Sequence, residues 1–254
     1  MLRRPLIVAN WKMHGGIGWT QKYLEEILPR VCGDGPEVVV CPPFTALPAA
    51  AVIAVGSPID LGAQNCHWEE KGAFTGEVSA AMLVELGVSW VIVGHSERRQ
   101  YFAETDETAM QRAAAAQEAG LNVILCVGET LAQRQAGDTL AVLDRQTTEL
   151  GRLGPARLAI AYEPVWAIGT GHTATPAQAQ QAHAFLRQHA AAHFGAEAAA
   201  RLRILYGGSV KPDNAAQLFA ESDVDGALVG GASLDVAGFS AIIQAAERRL
   251  SIAR

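Results

Sequence analysis

The 254-residue chain is half hydrophobic, carries a formal net charge of −6 and contains four cysteines. The apolar share can bury a large core, and the acidic balance argues against a nucleic-acid or anionic-membrane surface, which requires a basic face. Cys32, Cys41, Cys66 and Cys126 form no CxxC pair or regular framework, so reduced thiols are expected rather than disulfides. The basic start MLRRPLIVANWK loses its apolar run at Asn10, too early for a signal segment. No run approaches the roughly 20 apolar residues of a membrane span. A cytoplasmic globular protein is expected.

In chain order, short runs rich in Val, Ile and Leu fall at 6–10, 37–41, 59–65, 90–95, 122–129, 158–163, 203–208 and 226–231. Runs apolar on both faces suit parallel strands covered on each side. Between them lie alanine-rich amphipathic stretches such as 105–120 and 175–194. Thr175 reads as an N-cap, Pro176 as a first helical residue and Gly120 as a C-terminal stop. No linker or composition shift divides the chain. The alternation predicts a (β/α)8 barrel, one domain over residues 1–254.

The alternative, an open doubly wound sheet, requires a nucleotide fingerprint. GTGHTA (169–174) matches G-x-G-x-x-A in form, but Pro164 and the residues after it separate it from its strand. The next helix signal comes only at Thr175, and no acidic residue stands where a ribose ligand is sought.

In a barrel the strand C-termini open on one face, where chemistry is built. Those ends carry Asn10 with Lys12, Gln64 with Asn65, then His95, Glu129 and Glu163. The last two strands end in glycine pairs, YGGS (206–209) and VGGAS (229–233). Either pair alone reads equally as a tight turn. At two successive strand ends they point to backbone N–H groups approaching a phosphate. Singly, Lys12 reads as a surface lysine, His95 as a structural histidine and Glu163 as an arginine partner. Together beside a phosphate cup, they suggest acid–base work on a small phosphorylated carbonyl compound. His189 and His193 stand at i, i+4, but HAAAH lacks the glutamate of HExxH and reads as a surface helix face. No metal site is expected.

The blocks ANWKMH (9–14), NCHWEEKGAFTGEVS (65–79), VGHSERRQYFAETDE (93–107), AYEPVWAIGTGHTATP (161–176), LYGGSVKP (205–212) and LVGGASL (228–234) resemble those of triosephosphate isomerases. The resemblance runs through essentially the whole chain. It implies a cofactor-free homodimer that interconverts dihydroxyacetone phosphate and glyceraldehyde 3-phosphate in glycolysis and gluconeogenesis. Within it Glu163 is the base and His95 the electrophile, the family's established pairing. Asn10 and Lys12 contact substrate, while Gly169, Ser209, Gly230 and Gly231 surround the phosphate. The loop 65–79 is expected to project into the neighbouring subunit, with Thr75 near the partner subunit's Lys12 and the partner subunit's His95. His14 and His172 depart from the family pattern, where Asn and a basic residue are familiar.

The chemistry sets further expectations. A carboxylate shielded from water gains basicity, and the helix start SER after His95 favours a neutral imidazole. PVWAIGTGHTA (164–174) reads as a lid, with a hinge at Pro164 and an apolar tip of Val165, Trp166 and Ile168. Gly169 would bring its N–H to the phosphate. His172 could charge the second hinge at low pH, although a side chain in plain water is the simpler expectation. Two rival functions are an aldol-type barrel using Lys12 as a Schiff-base nucleophile, and an inactive phosphate-binding barrel. Loss of Glu163, His95 or Lys12 would mark the second, and all three are present.

Overall fold

A computed structural model describes residues 3–168 and 173–252. It opens with β1 (Leu6–Asn10), α1 (Ile17–Ile27), β2 (Glu37–Cys41), α2 (Leu47–Ala54) and β3 (Ile59–Ala63). After these come α3 (Ala80–Glu85), β4 (Trp90–Val93), α4 (Ser96–Tyr101), α5 (Asp106–Glu118) and β5 (Asn122–Val127). The third part holds α6 (Leu131–Gln135), α7 (Thr139–Thr147), β6 (Leu158–Tyr162), α8 (Pro176–Phe194) and α9 (Ala196–Arg201). The chain then forms β7 (Arg203–Tyr206), α10 (Ala215–Phe219), β8 (Gly226–Val229) and α11 (Val236–Ile252). The strands close in chain order into a parallel barrel, with β8 beside β1. This is the predicted (β/α)8 architecture.

The apolar runs divide by their period of two. Leu6 and Val8, Val39 and Cys41, Trp90 and Ile92, Ile124 and Cys126, and Ala159 and Ala161 form one buried cluster, inside the barrel. The alternate residues, such as Ile7, Val38, Val91, Val123 and Ile160, join the second and larger cluster with the inward sides of the helices. A strand with apolar side chains on both faces therefore has a use for each of them. The helix punctuation also follows the sequence. Thr175 caps α8 with a reciprocal capping box, Pro176 is its first residue, and Gly120 takes φ 96° beyond α5.

Six strands stop short of their expected ends. The runs expected to reach 65, 95, 129, 163, 208 and 231 end at Ala63, Val93, Val127, Tyr162, Tyr206 and Val229. The ladder gives way there to rim residues and glycines. Gly94, for example, adopts φ 70°, a left-handed conformation that breaks strand alternation just before His95.

The end of the barrel opposite the site is sealed by charge. Asp225, fully buried, accepts from Arg3 Nε at 2.6 Å, Arg187 Nη2 at 2.6 Å and the Ile204 N–H at 3.0 Å. All four cysteines are free, Cys32 exposed and the others buried. No described helix is long and apolar enough to cross a membrane.

Candidate active site

Glu163 follows Ala159 and Ala161 in the inward phase of β6, so the strand period aims it into the barrel mouth just past the last ladder residue. Its side chain is 2% exposed. Two donors hold the carboxylate: Oε2 accepts from the Ser96 N–H at 2.8 Å, and Oε1 lies 2.9 Å from His95 Nε2. Burial pushes its pKa up, but His95, the Ser96 N–H and Lys12 together outweigh burial and hold it below the ordinary carboxylate value. This position of the side chain is therefore not the shielded, donor-free place in which a carboxylate gains basicity. Glu163 becomes a stronger base only on leaving these donors for a dry site without them.

His95 is the N-cap of α4, as the SER start implies. Its Nδ1 accepts the Glu97 N–H at 3.3 Å, so the neutral ring carries its proton on Nε2 and donates it to Glu163. Burial lowers the imidazole pKa, while the carboxylates of Glu163 and, to a lesser extent, Glu97 raise it, leaving it above the ordinary value. That support depends on Glu163 staying where it is. With the carboxylate displaced, burial and the helix N–H on Nδ1 both favour the neutral ring.

Lys12 lies two residues beyond Asn10, whose Oδ1 accepts the Lys12 N–H at 3.0 Å. Its backbone is held at φ 51°, uncommon for a non-glycine residue. Gln64 braces this bend by donating to the Lys12 carbonyl at 2.8 Å and the Cys41 carbonyl at 2.9 Å. The ammonium is paired with Glu97 Oε1 at 2.7 Å. This contact fixes where the ammonium stands at the barrel mouth.

Asn10, Lys12, His95 and Glu163 share a cavity of about 450 Å³ with Ile168, Gly207, Gly208, Ser209, Gly230 and Gly231. The glycine pairs differ in their physical reasons. A Cβ at Gly207 would stand 2.8 Å from Glu163 Cγ, and one at Gly208 would collide with the Tyr206 hydroxyl. Packing alone therefore requires both. Gly231 has open space where a Cβ would be, so packing does not require it, and its backbone is accessible to an anion. A second cavity of about 730 Å³ lies beside Glu163 and is lined by Ser96, Arg99, Val127, Gly128, Trp166 and Ile168 among others. It lacks Lys12 and both glycine pairs.

The start of the expected lid is anchored to Glu129, a strand-end residue that does not enter the smaller cavity. Glu129 Oε1 accepts from Trp166 Nε1 at 2.9 Å and Tyr162 OH at 3.1 Å, and lies 3.1 Å from Arg134 Nη1. Arg134 also stacks over the Trp166 ring at 4.4 Å. Gly169 and His172 lie outside the described residues, and His14 is exposed away from the cavity lining. The sequence reading missed Glu97 as the partner of Lys12 and Ser96 as the donor to Glu163. Their one signal was the acidic first turn of the helix that follows His95.

Fold and site together define a (β/α)8-barrel protein that gathers an acid–base set at the C-terminal mouth of the barrel. The triosephosphate isomerase family profile matches residues 5–246. The triosephosphate isomerase of Moorella thermoacetica is 55% identical over 95% of this chain and 98% of its own length. That of Symbiobacterium thermophilum is 53% identical over 96% and 98%, and that of Citrifermentans bemidjiense 51% over 97% and 100%. The chain belongs to the triosephosphate isomerase family.

Proposed function

We propose that this chain is an aldose–ketose isomerase that interconverts dihydroxyacetone phosphate and D-glyceraldehyde 3-phosphate, a step of glycolysis and gluconeogenesis. The observation that carries the assignment of roles is the convergence of Glu163, His95 and Lys12 on one cavity edged by Ser209, Gly230 and Gly231. Glu163 takes the proton from the carbon next to the carbonyl, and the electron pair left behind forms the enediolate. His95 Nε2–H and the Lys12 ammonium stabilise the negative oxygen as it develops. His95 passes its proton to one oxygen and recovers one from the other, and Glu163 returns its proton to the adjacent carbon. Asn10 holds Lys12 in place and faces the substrate.

The lid contributes by excluding water from the enediolate, which would otherwise lose phosphate. Its described part supports this role, because Pro164, Val165, Trp166 and Ile168 continue directly from Glu163. A movement of this segment carries the carboxylate with it. Gly169 is proposed to bring its N–H to the phosphate.

We read the active form as a homodimer joined through the loop 65–79, in the cytoplasm, with residues 1–254 as one domain. Supporting the dimer, the segments that follow the adjacent strands β1 to β4 carry exposed apolar side chains, Met13, Phe44, Phe74 and Tyr101. The loop is also internally braced. The His67 ring lies 4.4 Å from that of Phe74, and the His67 N–H bonds the Val78 carbonyl at 2.8 Å.

The test is a coupled assay with glyceraldehyde 3-phosphate and no added cofactor. Turnover that is lost in His95→Gln or Glu163→Gln supports the assignment. Borohydride trapping of a covalent Lys12 adduct would instead support the aldol reading.

A further inference from the structure

The histidines of the HAAAH segment differ from a plain surface helix face. His189 and His193 are both half-buried at the seam of α8 with α7, and their Nε2 atoms lie 3.1 Å apart. His189 Nδ1 lies 3.2 Å from Asp144 Oδ1, on α7. A carboxylate only accepts, so His189 carries its proton on Nδ1 and turns the Nε2 lone pair toward His193. Without a metal, His193 Nε2–H donates to that lone pair.

The ring geometry departs from that of a head-on hydrogen bond. Two imidazoles aimed head-on across 3.1 Å have centroids about 5.4 Å apart, given ordinary ring dimensions. Two imidazoles aimed at one ion about 2.05 Å from each nitrogen, with the same separation, have centroids about 4.8 Å apart and subtend about 100° at the ion. The observed centroid separation is 4.9 Å. A separation of that size is compatible with two adjacent ligands of one square-planar, octahedral or tetrahedral ion, and shorter than a head-on pair would show.

We propose that His189 and His193 form a two-histidine binding site for a late first-row divalent cation at the α7–α8 seam, with Asp144 orienting His189. Imidazole nitrogen suits copper(II), nickel(II) and zinc(II), and copper(II) binds most tightly in that order of stability. Among the described residues no group of three or more His, Cys, Asp or Glu side chains is gathered as a metal site, so solvent completes the coordination. On binding, His193 exchanges its Nε2 proton for one on Nδ1 through solvent, and both rings stay neutral. The site is separate from the barrel-mouth cavity, none of whose lining residues it shares. Metal binding is therefore expected to bridge two turns of α8 and leave turnover unchanged.

The test titrates CuCl2 into the whole chain in a Cys32→Ser background, which removes the exposed thiol as a competitor. Calorimetry should show one saturable ion per chain, and electron paramagnetic resonance two equatorial nitrogens. His189→Ala and His193→Ala should each weaken binding at least about tenfold, while His14→Ala leaves it unchanged. ZnCl2 should raise the Tm of the parent and not of the two variants. Asp144→Asn should weaken binding about tenfold with the metal-free Tm unchanged, and unaltered affinity there overturns the orienting role. Parent affinity retained in either histidine variant, or a single coordinating nitrogen in the parent spectrum, overturns the site. The spectrum of the parent decides the matter even if a variant folds poorly.

Discussion

The Ser96 backbone N–H donates to the Glu163 carboxylate at 2.8 Å and thereby ties the proposed base to the first turn of α4. With His95 on the other oxygen, the carboxylate is fully solvated by protein and has little drive to take a proton. In the proposed mechanism Glu163 exchanges these donors for the substrate, which couples the base to movement of the segment that begins at Pro164. Glu163→Gln keeps the volume and an acceptor for Ser96 but removes the base. We expect kcat to fall about 10²- to 10⁴-fold, with competitive inhibition by inorganic phosphate nearly unchanged. Steady-state kinetics decide this, and near-parent turnover would refute the role.

Glu97 and Lys12 form a partly exposed pair, so its worth is discounted for solvent screening. Glu97→Gln should let the ammonium wander, raising KM about three- to tenfold while kcat changes less. A fall confined to kcat would show that Glu97 acts on the chemical step instead.

The exposed tip of the 65–79 loop provides the test of assembly. Thr75→Arg places a large cation at an exposed tip position next to Phe74. Subunit dissociation should become at least about tenfold easier, which is about 1.4 kcal/mol, and activity should fall in step at low protein concentration. Sedimentation and assay across a dilution series would measure both. Full activity in a monomeric species would contradict the dimer.

His183 gives a pH dependence of stability. It is fully buried on α8, its Nδ1 lies 3.1 Å from the Asp223 carbonyl, and burial pushes its pKa down to about 4. In the unfolded chain it takes a proton below about 6.5 while the folded chain does not. Its contribution is therefore complete above about pH 6.5 and is lost as pH falls toward 4, by about 3 kcal/mol in total. Urea unfolding of the parent and His183→Gln at pH 7.5 and 4.5 should show a smaller acid loss in the variant. Equal losses would mean that His183 is protonated in the folded chain.

The sequence by itself determined the barrel. Each strand run is apolar on both faces, and the helix signals between them leave a parallel closed sheet as the consistent arrangement. It also determined that Glu163, His95, Lys12 and the glycine pairs lie on one face, because all stand at or just past strand C-termini. Only the tertiary structure decided the state of those groups. Depressed basicity at Glu163 depends on His95 and then on the helix N–H of Ser96, the latter 67 residues away in the chain, and the pairing of Lys12 spans 85. Local pattern carries no information about such distances. The same limit applies to Glu129, which reads as one more rim carboxylate until folding brings Trp166, Tyr162 and Arg134 against it. It applies equally to His189 and His193, whose spacing places them on one helix face while Asp144, from another helix, fixes which nitrogen faces the neighbour.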